Sequence, residues 1–497
     1  MTARWWLSLL VAGVLAAPGA AGAASGTVTV GSKSFTENYI LAEIVAGIAQ
    51  DAAEAAVRRR LGLGGTGIVY EALARGDIDV YPEYTGTIAR AILNDPSLTT
   101  VAALRARLRE RGLTISEPLG FRNTYALAVR RDMAERHHLR TIGDLRGHPE
   151  LRAAFDPGFL DRDDAWPGLR RHYGLALGNV RIMEHALTHG ALASGAVDLI
   201  DVFSTDGQLA RADAVLLADD RGFFPDYAAV LLARQSMVER APRTWAALQQ
   251  GMVGRIDERT MIRLNAIADV DGRPFADAAA EFLGRASSRP GLRPTAEIPR
   301  LTLEHLWLVL VSLAVATVIG VPLGVLAARR RRLGQVELMG VGVLQTIPAL
   351  ALLSFMIPLF GIGTTPALIA LCLYALLPIV RNTYAGLVSL DPRLVEMTAV
   401  LGLSRWQRLA WIDLPLAAVT IMAGIKTAAV LTVGTATLAA FIGGGGYGTL
   451  IVTGLAMNNV STILAGAIPS AIMALAIHGA FEALDRLVIP RALRPRA

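Results

Sequence analysis

Leu306 to Ala328 is a run of 23 residues without a charge, and Arg329-Arg-Arg-Arg332 follows it directly. At about 1.5 Å per residue, such a helix crosses roughly 30 Å of hydrocarbon. Any fold for this chain must accommodate a membrane span here, and the arginines place its downstream end in the cytoplasm. From about residue 25 to 300 the sequence is charged and mixed, whereas beyond 300 the charges cluster in a few short places. A soluble domain is therefore joined to a membrane domain, and the part before the span lies outside the cytoplasm. A hydrophobic content of 53% over 497 residues agrees with that division. The net charge of +6 calls for no nucleic acid, because basic residues between spans follow the positive-inside bias.

Alternation from the first span predicts five crossings. Leu338 to Phe360 crosses outward, Gly361-Ile-Gly-Thr-Thr-Pro366 turns outside, and Ala367 to Val380 with its flanks returns to Arg381. A span from about Leu416 to Ala440 goes out, Gly443-Gly-Gly-Gly-Tyr-Gly448 bends outside, and about Val460 to Phe481 returns to Arg486, Arg491, Arg494 and Arg496. Lys426 falls inside the fourth span, so it must snorkel or face protein. The glycine block reads equally as a flexible outer loop or as a gate. At the other end of the chain, Arg4, the apolar run Trp5 to Ala17 and Ala21-Gly22-Ala23 have the pattern of an export signal over 1–23. Its apolar core is short for a span, and an uncleaved anchor is the alternative. Residues 289–303 have the proline and polar content of a linker, leaving 304–490 as the membrane domain.

The polar interruption Glu396 to Pro415 carries helix signals. Asp391 is a cap and Pro392 a first-turn proline, Gly402 stops the helix, Ser404 caps a second one, and Pro415 opens the next apolar segment. Two short helices are expected across the membrane face. Glu396, Gly402, Ile412, Leu414 and Pro415 stand in the register of the coupling loop of ABC import permeases, which this stretch resembles, with Met397 and Thr398 where alanines are usual. The resemblance implies docking onto a separate cytoplasmic ATPase. The alternative is an ordinary amphipathic loop.

In the soluble part, Thr27 to Val30 reads as a strand. A Gly/Ser turn with Lys33 leads into a helix-like run from Tyr39 to Arg60, an arrangement that suits an anionic group. Gly67 to Tyr70 as strand, Glu71 to Arg75 as helix and Ile78 to Tyr81 as strand continue an α/β pattern with predominantly parallel pairing. Gly62-Leu-Gly-Gly-Thr66 lacks the Gly-Lys-Ser/Thr of a phosphate loop and reads as a turn.

Five blocks then occur in order: Gly31-Ser-Lys-Ser-Phe-Thr-Glu37, Asp79-Val-Tyr-Pro-Glu-Tyr-Thr-Gly-Thr87, Asn123-Thr-Tyr-Ala-Leu127, Ser204-Thr-Asp-Gly207 and Asp219-Asp-Arg-Gly-Phe-Phe-Pro-Asp-Tyr227. They resemble the periplasmic binding proteins for glycine betaine, choline and related solutes. The resemblance implies a two-lobed α/β clamshell (type II-like) over 25–288, followed by an all-α ABC permease domain. Lobe one is expected at 26–118 and 225–288 and lobe two at 119–224, with hinges near Pro118-Leu-Gly120 and Gly222 to Pro225.

A trimethylammonium group donates no hydrogen bonds, so a protein holds it with the faces of several converging rings. Tyr84, Tyr125, Phe203 and Tyr227 match the family's aromatic positions, Phe203 standing where tyrosine is expected. Lys33, Thr87 and Arg162 match the positions that take a carboxylate. Asn123 stands where a carboxylate is expected near the ammonium, and Gly158 replaces an expected acidic residue. Arg162 lies in Asp161-Arg-Asp-Asp164, so a local ion pair competes with ligand.

No Walker motif and no nucleophile-base arrangement occurs, so the chain itself reads as a transporter subunit without a cofactor and not as an enzyme. His137, His138, His172, His185 and His189 lack the context of metal ligands, and no metal is expected. The single cysteine, Cys372, lies in an apolar run and leaves no disulfide within one chain. The expected protein is the fused binding and permease subunit of an importer for a small quaternary ammonium ligand. It is expected to sit in the inner membrane, homodimeric, on two ATPase subunits. Ergothioneine as cargo, or a membrane-tethered receptor for quaternary amines, are the alternatives.

Overall fold

The computed structural model describes residues 26–488 apart from 211–212, 225–226, 287–293, 392, 394–396, 398–401 and 458. The expected export signal, 1–23, and Glu396 lie outside the described residues. The described residues include ten strands: Thr27–Gly31 (β1), Ala56–Arg60 (β2), Val80–Tyr84 (β3), Leu113–Ile115 (β4), Tyr125–Arg130 (β5), Arg152–Phe155 (β6), Asn179–Ile182 (β7), Leu199–Phe203 (β8), Ala214–Leu217 (β9) and Ala229–Arg234 (β10). They form two five-stranded sheets, ordered β2-β1-β3-β10-β4 and β7-β6-β8-β5-β9. The sheets belong to the two lobes.

The expectation of predominantly parallel pairing is corrected. β1 runs parallel to β2 and β3, and β6 parallel to β7 and β8, but β10 is antiparallel to β3 and β4, and β5 is antiparallel to β8 and β9. β5 and β10 are the first strands after each passage between lobes, so they enter their sheets from the cleft side. The parallel strands instead end there. The two passages lie side by side: Leu119 N donates to Ala229 O (2.8 Å), Ala229 N to Phe121 O (3.1 Å) and Asn123 N to Tyr227 O (3.1 Å).

Four helices bear on the site: Thr36–Ala52 (α1), Thr66–Arg75 (α2), His185–Ala193 (α3) and Glu258–Asp269 (α4). The helix expected to continue to Arg60 stops at Ala52, where Ala53 turns left-handed (φ 48°), and 56–60 is β2. The strand expected at Gly67 to Tyr70 is the first turn of α2, since two apolar neighbours cannot fix a period. The linker is also shorter than expected. Helix Pro294–Arg329 (α5) takes up its last two thirds, and there Arg300 is paired to Glu297 and Glu304 one turn away on each side.

The membrane domain continues with Arg331–Thr346 (α6), Ala349–Phe360 (α7), Thr364–Val388 (α8), Leu414–Ala436 (α9), Gly448–Ala456 (α10) and Val460–Val488 (α11). Among the described residues four stretches are long and apolar enough to cross a bilayer, Glu297–Arg329, Thr364–Val388, Arg405–Ile442 and Val460–Arg486. A fifth follows if Met339–Thr346 and Ala349–Phe360, bent by 99°, form one span. The bend sits at Pro348, which drives Ile347 out of the helical region (ψ 125°). Gly320 and Gly324 let α5 approach α8 closely, because a Cβ at either would meet Ile379 at 2.9 Å or Thr383 at 2.5 Å. Lys426 faces protein: its Nζ is 3.3 Å from Glu482 Oε1 and 3.9 Å from Asp485 Oδ2 on α11.

In the loop before α9 Gly402 adopts φ 66°, and Ser404 caps Arg405–Arg408 with Gln407 in a reciprocal box. The second of the two expected short helices is not separate. Arg405–Arg408 passes through a wide turn at Leu409–Asp413, which contains Ile412, into α9, where Leu414 and Pro415 form the first turn.

Candidate functional site

Because parallel strands end at the cleft and β5 and β10 begin there, residues far apart in sequence meet along one edge. Lys33 follows β1, Tyr84 closes β3, Phe203 closes β8, Tyr125 opens β5, and Tyr227 precedes β10. All eight expected ligand residues, Lys33, Tyr84, Thr87, Asn123, Tyr125, Arg162, Phe203 and Tyr227, line one cavity of about 430 Å³. Tyr125 and Phe203 lie 5.2 Å apart by ring centroids, and Tyr125 meets Tyr227 edge-on at 5.9 Å. Phe35, which sequence reasoning passed over inside its own block, stacks on Phe203 at 5.5 Å and on Tyr84 at 6.4 Å. It belongs to the same aromatic wall.

The other residue passed over is Glu37. Its buried carboxylate accepts from Tyr84 Oη (2.5 Å), Asn123 Nδ2 (2.8 Å), Asn265 Nδ2 (3.2 Å) and the Thr205 hydroxyl. Thr205 is in lobe two and Glu37 in lobe one, so this carboxylate ties the closed lobes together. Burial raises the Glu37 carboxyl above its ordinary value, and the four donors oppose that rise. A carboxylate does stand near Asn123, but it arrives on α1.

The two expected cations are already matched. Lys33 Nζ donates to Glu83 Oε1 at 2.6 Å, and burial lowers its pKa despite that partner. Arg162 is held bidentately by Asp164 (2.8 and 2.5 Å), and Tyr227 Oη donates to the same carboxylate at 2.8 Å. Arg162 also lies 6.0 Å from the Tyr125 ring centre. Lys33 and Arg162 are thus each matched by a carboxylate of their own, which leaves Glu37 as an acidic group of the ring-lined part with hydroxyl and amide partners and no cation among its bonded neighbours. Near Gly158, the acidic residue lining the cavity is Asp156, whose Oδ1 accepts from Gly158 N at 2.8 Å.

The histidines gain a context that the sequence did not show. His185 and His189, one turn apart on α3, bring Nε2 to within 3.2 and 3.3 Å of Asp206 Oδ2 at the cavity wall. Burial works against a proton on His185, yet Asp206 outweighs it and raises the pKa to about 10. Burial raises Asp201 to about 7 and Asp269 to about 7.

Residues 26–285 match the family model described as the substrate binding domain of ABC-type glycine betaine transport systems, which is over half of the chain. The chain belongs to that family. Residues 320–494 match the inner membrane component of binding-protein-dependent transport systems. This family member carries both parts in one polypeptide and is a membrane protein. Its membrane half is 42% identical over 199 residues to the osmoprotectant import permease protein OsmW of Salmonella typhimurium, covering 39% of this chain and 93% of the relative. It is 39% identical over 191 residues to the glycine betaine/carnitine/choline transport system permease protein OpuCB of Bacillus subtilis, covering 38% of this chain and 88% of the relative. The binding half is similar to a solved glycine betaine/carnitine/choline ABC transporter chain, with 29% identity, 52% of this chain and 97% of that chain covered, and a TM-score of 0.45.

Proposed function

We propose that this family member captures a quaternary ammonium compound of the glycine betaine or choline type outside the cell and passes it inward through its own membrane domain. The observation that carries the reading is the cavity wall of Phe35, Tyr84, Tyr125, Phe203 and Tyr227 around the buried Glu37 carboxylate. Rings hold a cation that cannot donate hydrogen bonds, and Glu37 supplies the opposite charge. Lys33, Thr87 and Arg162 remain the donors proposed for a ligand carboxylate. ATP hydrolysis belongs to a separate cytoplasmic subunit that docks on 396–415, and two copies of this chain pair through their membrane helices. The binding domain faces the periplasm or cell exterior. A larger betaine carrying a ring, such as ergothioneine, is favoured by the room of about 430 Å³ and by the imidazole wall of His185 and His189.

Calorimetric titration of the full chain in lipid nanodiscs with glycine betaine, choline, carnitine, proline betaine and ergothioneine tests the reading. Saturable binding of at least one is expected. Tyr84→Ala and Tyr227→Ala should each weaken it about two- to thirty-fold, corresponding to one cation–π contact of about 0.5–2 kcal/mol. Unchanged affinity in both variants removes the ring site.

A further inference from the structure

The cavity between the lobes is not walled by the binding domain alone. Val452, Leu455 and Ala456 of the membrane helix α10 line it together with the rings. Ala456 and Met457 pack into the same apolar core as α1 and α4 of lobe one, and Met457 is 6% exposed. The hydrogen bonds that fix the membrane domain to the binding domain come from lobe one. The Thr36 hydroxyl is 2.9 Å from Ala456 O, Arg60 Nη1 donates to Gly443 O at 3.4 Å, and Ile362 N donates to Asp77 Oδ2 at 3.1 Å. Thr36 is also 2.5 Å from Asp269 Oδ1. One hydroxyl carries one proton, so the full pair forms when a protonated Asp269 donates to Thr36 while Thr36 donates to Ala456. Lobe two reaches α10 through α3, the helix that carries His185 and His189.

We propose that helix 448–456 of the membrane domain is part of the ligand site: seated permanently on lobe one, it closes the mouth of the cleft, and α3 of lobe two completes the seal. This rests on the cargo reading above for its ligand but not for its geometry. A ligand that leaves the rings then meets the membrane domain first, with no separate docking step.

The test uses the full chain with Cys372→Ser, in nanodiscs, with glycine betaine as the probe. Leu455→Trp places a large ring in the mouth and should weaken binding at least tenfold. Leu475→Trp, on a side chain 73% exposed on α11, should leave it unchanged. In a second arm, Thr36→Cys with Ala456→Cys is treated with a short bismaleimide. Cross-linking without ligand as well as with it is expected. If Leu455→Trp binds like the parent chain, or if the cysteine pair fails to cross-link without ligand, the proposal is overturned. If the parent chain itself binds no glycine betaine, the cargo reading fails for that compound, and the cross-linking arm still decides whether the helix is seated.

Discussion

At the residue scale the site turns on Glu37. Four donors converge on it, two of them from strands and helices far away in sequence, so its protonation and its bonds set both closure and charge. Glu37→Gln keeps the shape but turns an amide N–H₂ toward those donors, which strands at least one of them at a cost of about 1–3 kcal/mol. Affinity for glycine betaine should fall roughly tenfold or more by calorimetry; a loss under twofold excludes the carboxylate from the site. A pH effect follows from Asp201 and Asp269, both raised to about 7 from an ordinary value of 3.8. Between those values the folded chain holds protons that the unfolded chain has released, so stability falls as pH rises from about 4 to 7. The slope is at most about 1.4 kcal/mol per pH unit for each group. Thermal denaturation across that range should show the decline, and Asp201→Asn should flatten it by up to half. Lys33, Tyr84, Tyr125 and Tyr227 were legible because each sits in a compact sequence block, and Phe203 because it directly precedes one. Glu37 and Phe35 sit in such a block too, but their roles depend on Thr205, Asn265 and Phe203, which only the fold brings to them.

At the scale of elements, the close crossing of α5 and α8 at Gly320 and Gly324 sets the membrane packing. Gly324→Leu should lower stability by about 1–3 kcal/mol through overpacking. Gly340→Leu, where a new Cβ meets nothing within 4 Å, should change the melting temperature little. In the loop before α9, Trp406 and Trp411 are 74% and 64% exposed beside the capped turn at Ser404. If the ATPase docks on this loop as proposed, exposed aromatic area of this kind supplies the anchors of that contact. Trp411→Ala should weaken ATPase association about tenfold with no change in ligand affinity, as judged by co-purification and titration. The spans were readable from uncharged runs and arginine clusters, whose physics is one-dimensional. The 99° bend at Pro348 and the mixed sheets were not: both depend on where an element must go next, which local pattern does not encode.

For the whole molecule, the two loops read from sequence as external, 361–366 and 443–448, both touch the binding domain, through Asp77 and Arg60 respectively. The glycine block allows this contact, since Gly443, Gly445 and Gly446 take φ of 73°, 84° and 76° that other residues resist. The binding domain and the loop at 402–413 therefore lie at opposite ends of the spans. An impermeant maleimide applied to intact cells should label Glu110→Cys, whose side chain is 61% exposed, and should spare Ser404→Cys until the membrane is opened. Labelling of position 404 from outside would refute the topology. Of the paired strands 119–123 and 227–229, each is bonded to the other along its length. Those bonds hold the two passages in register with one another. Phe203 of lobe two and Phe35 of lobe one thus face each other, 5.5 Å apart, from the two ends of one double crossing.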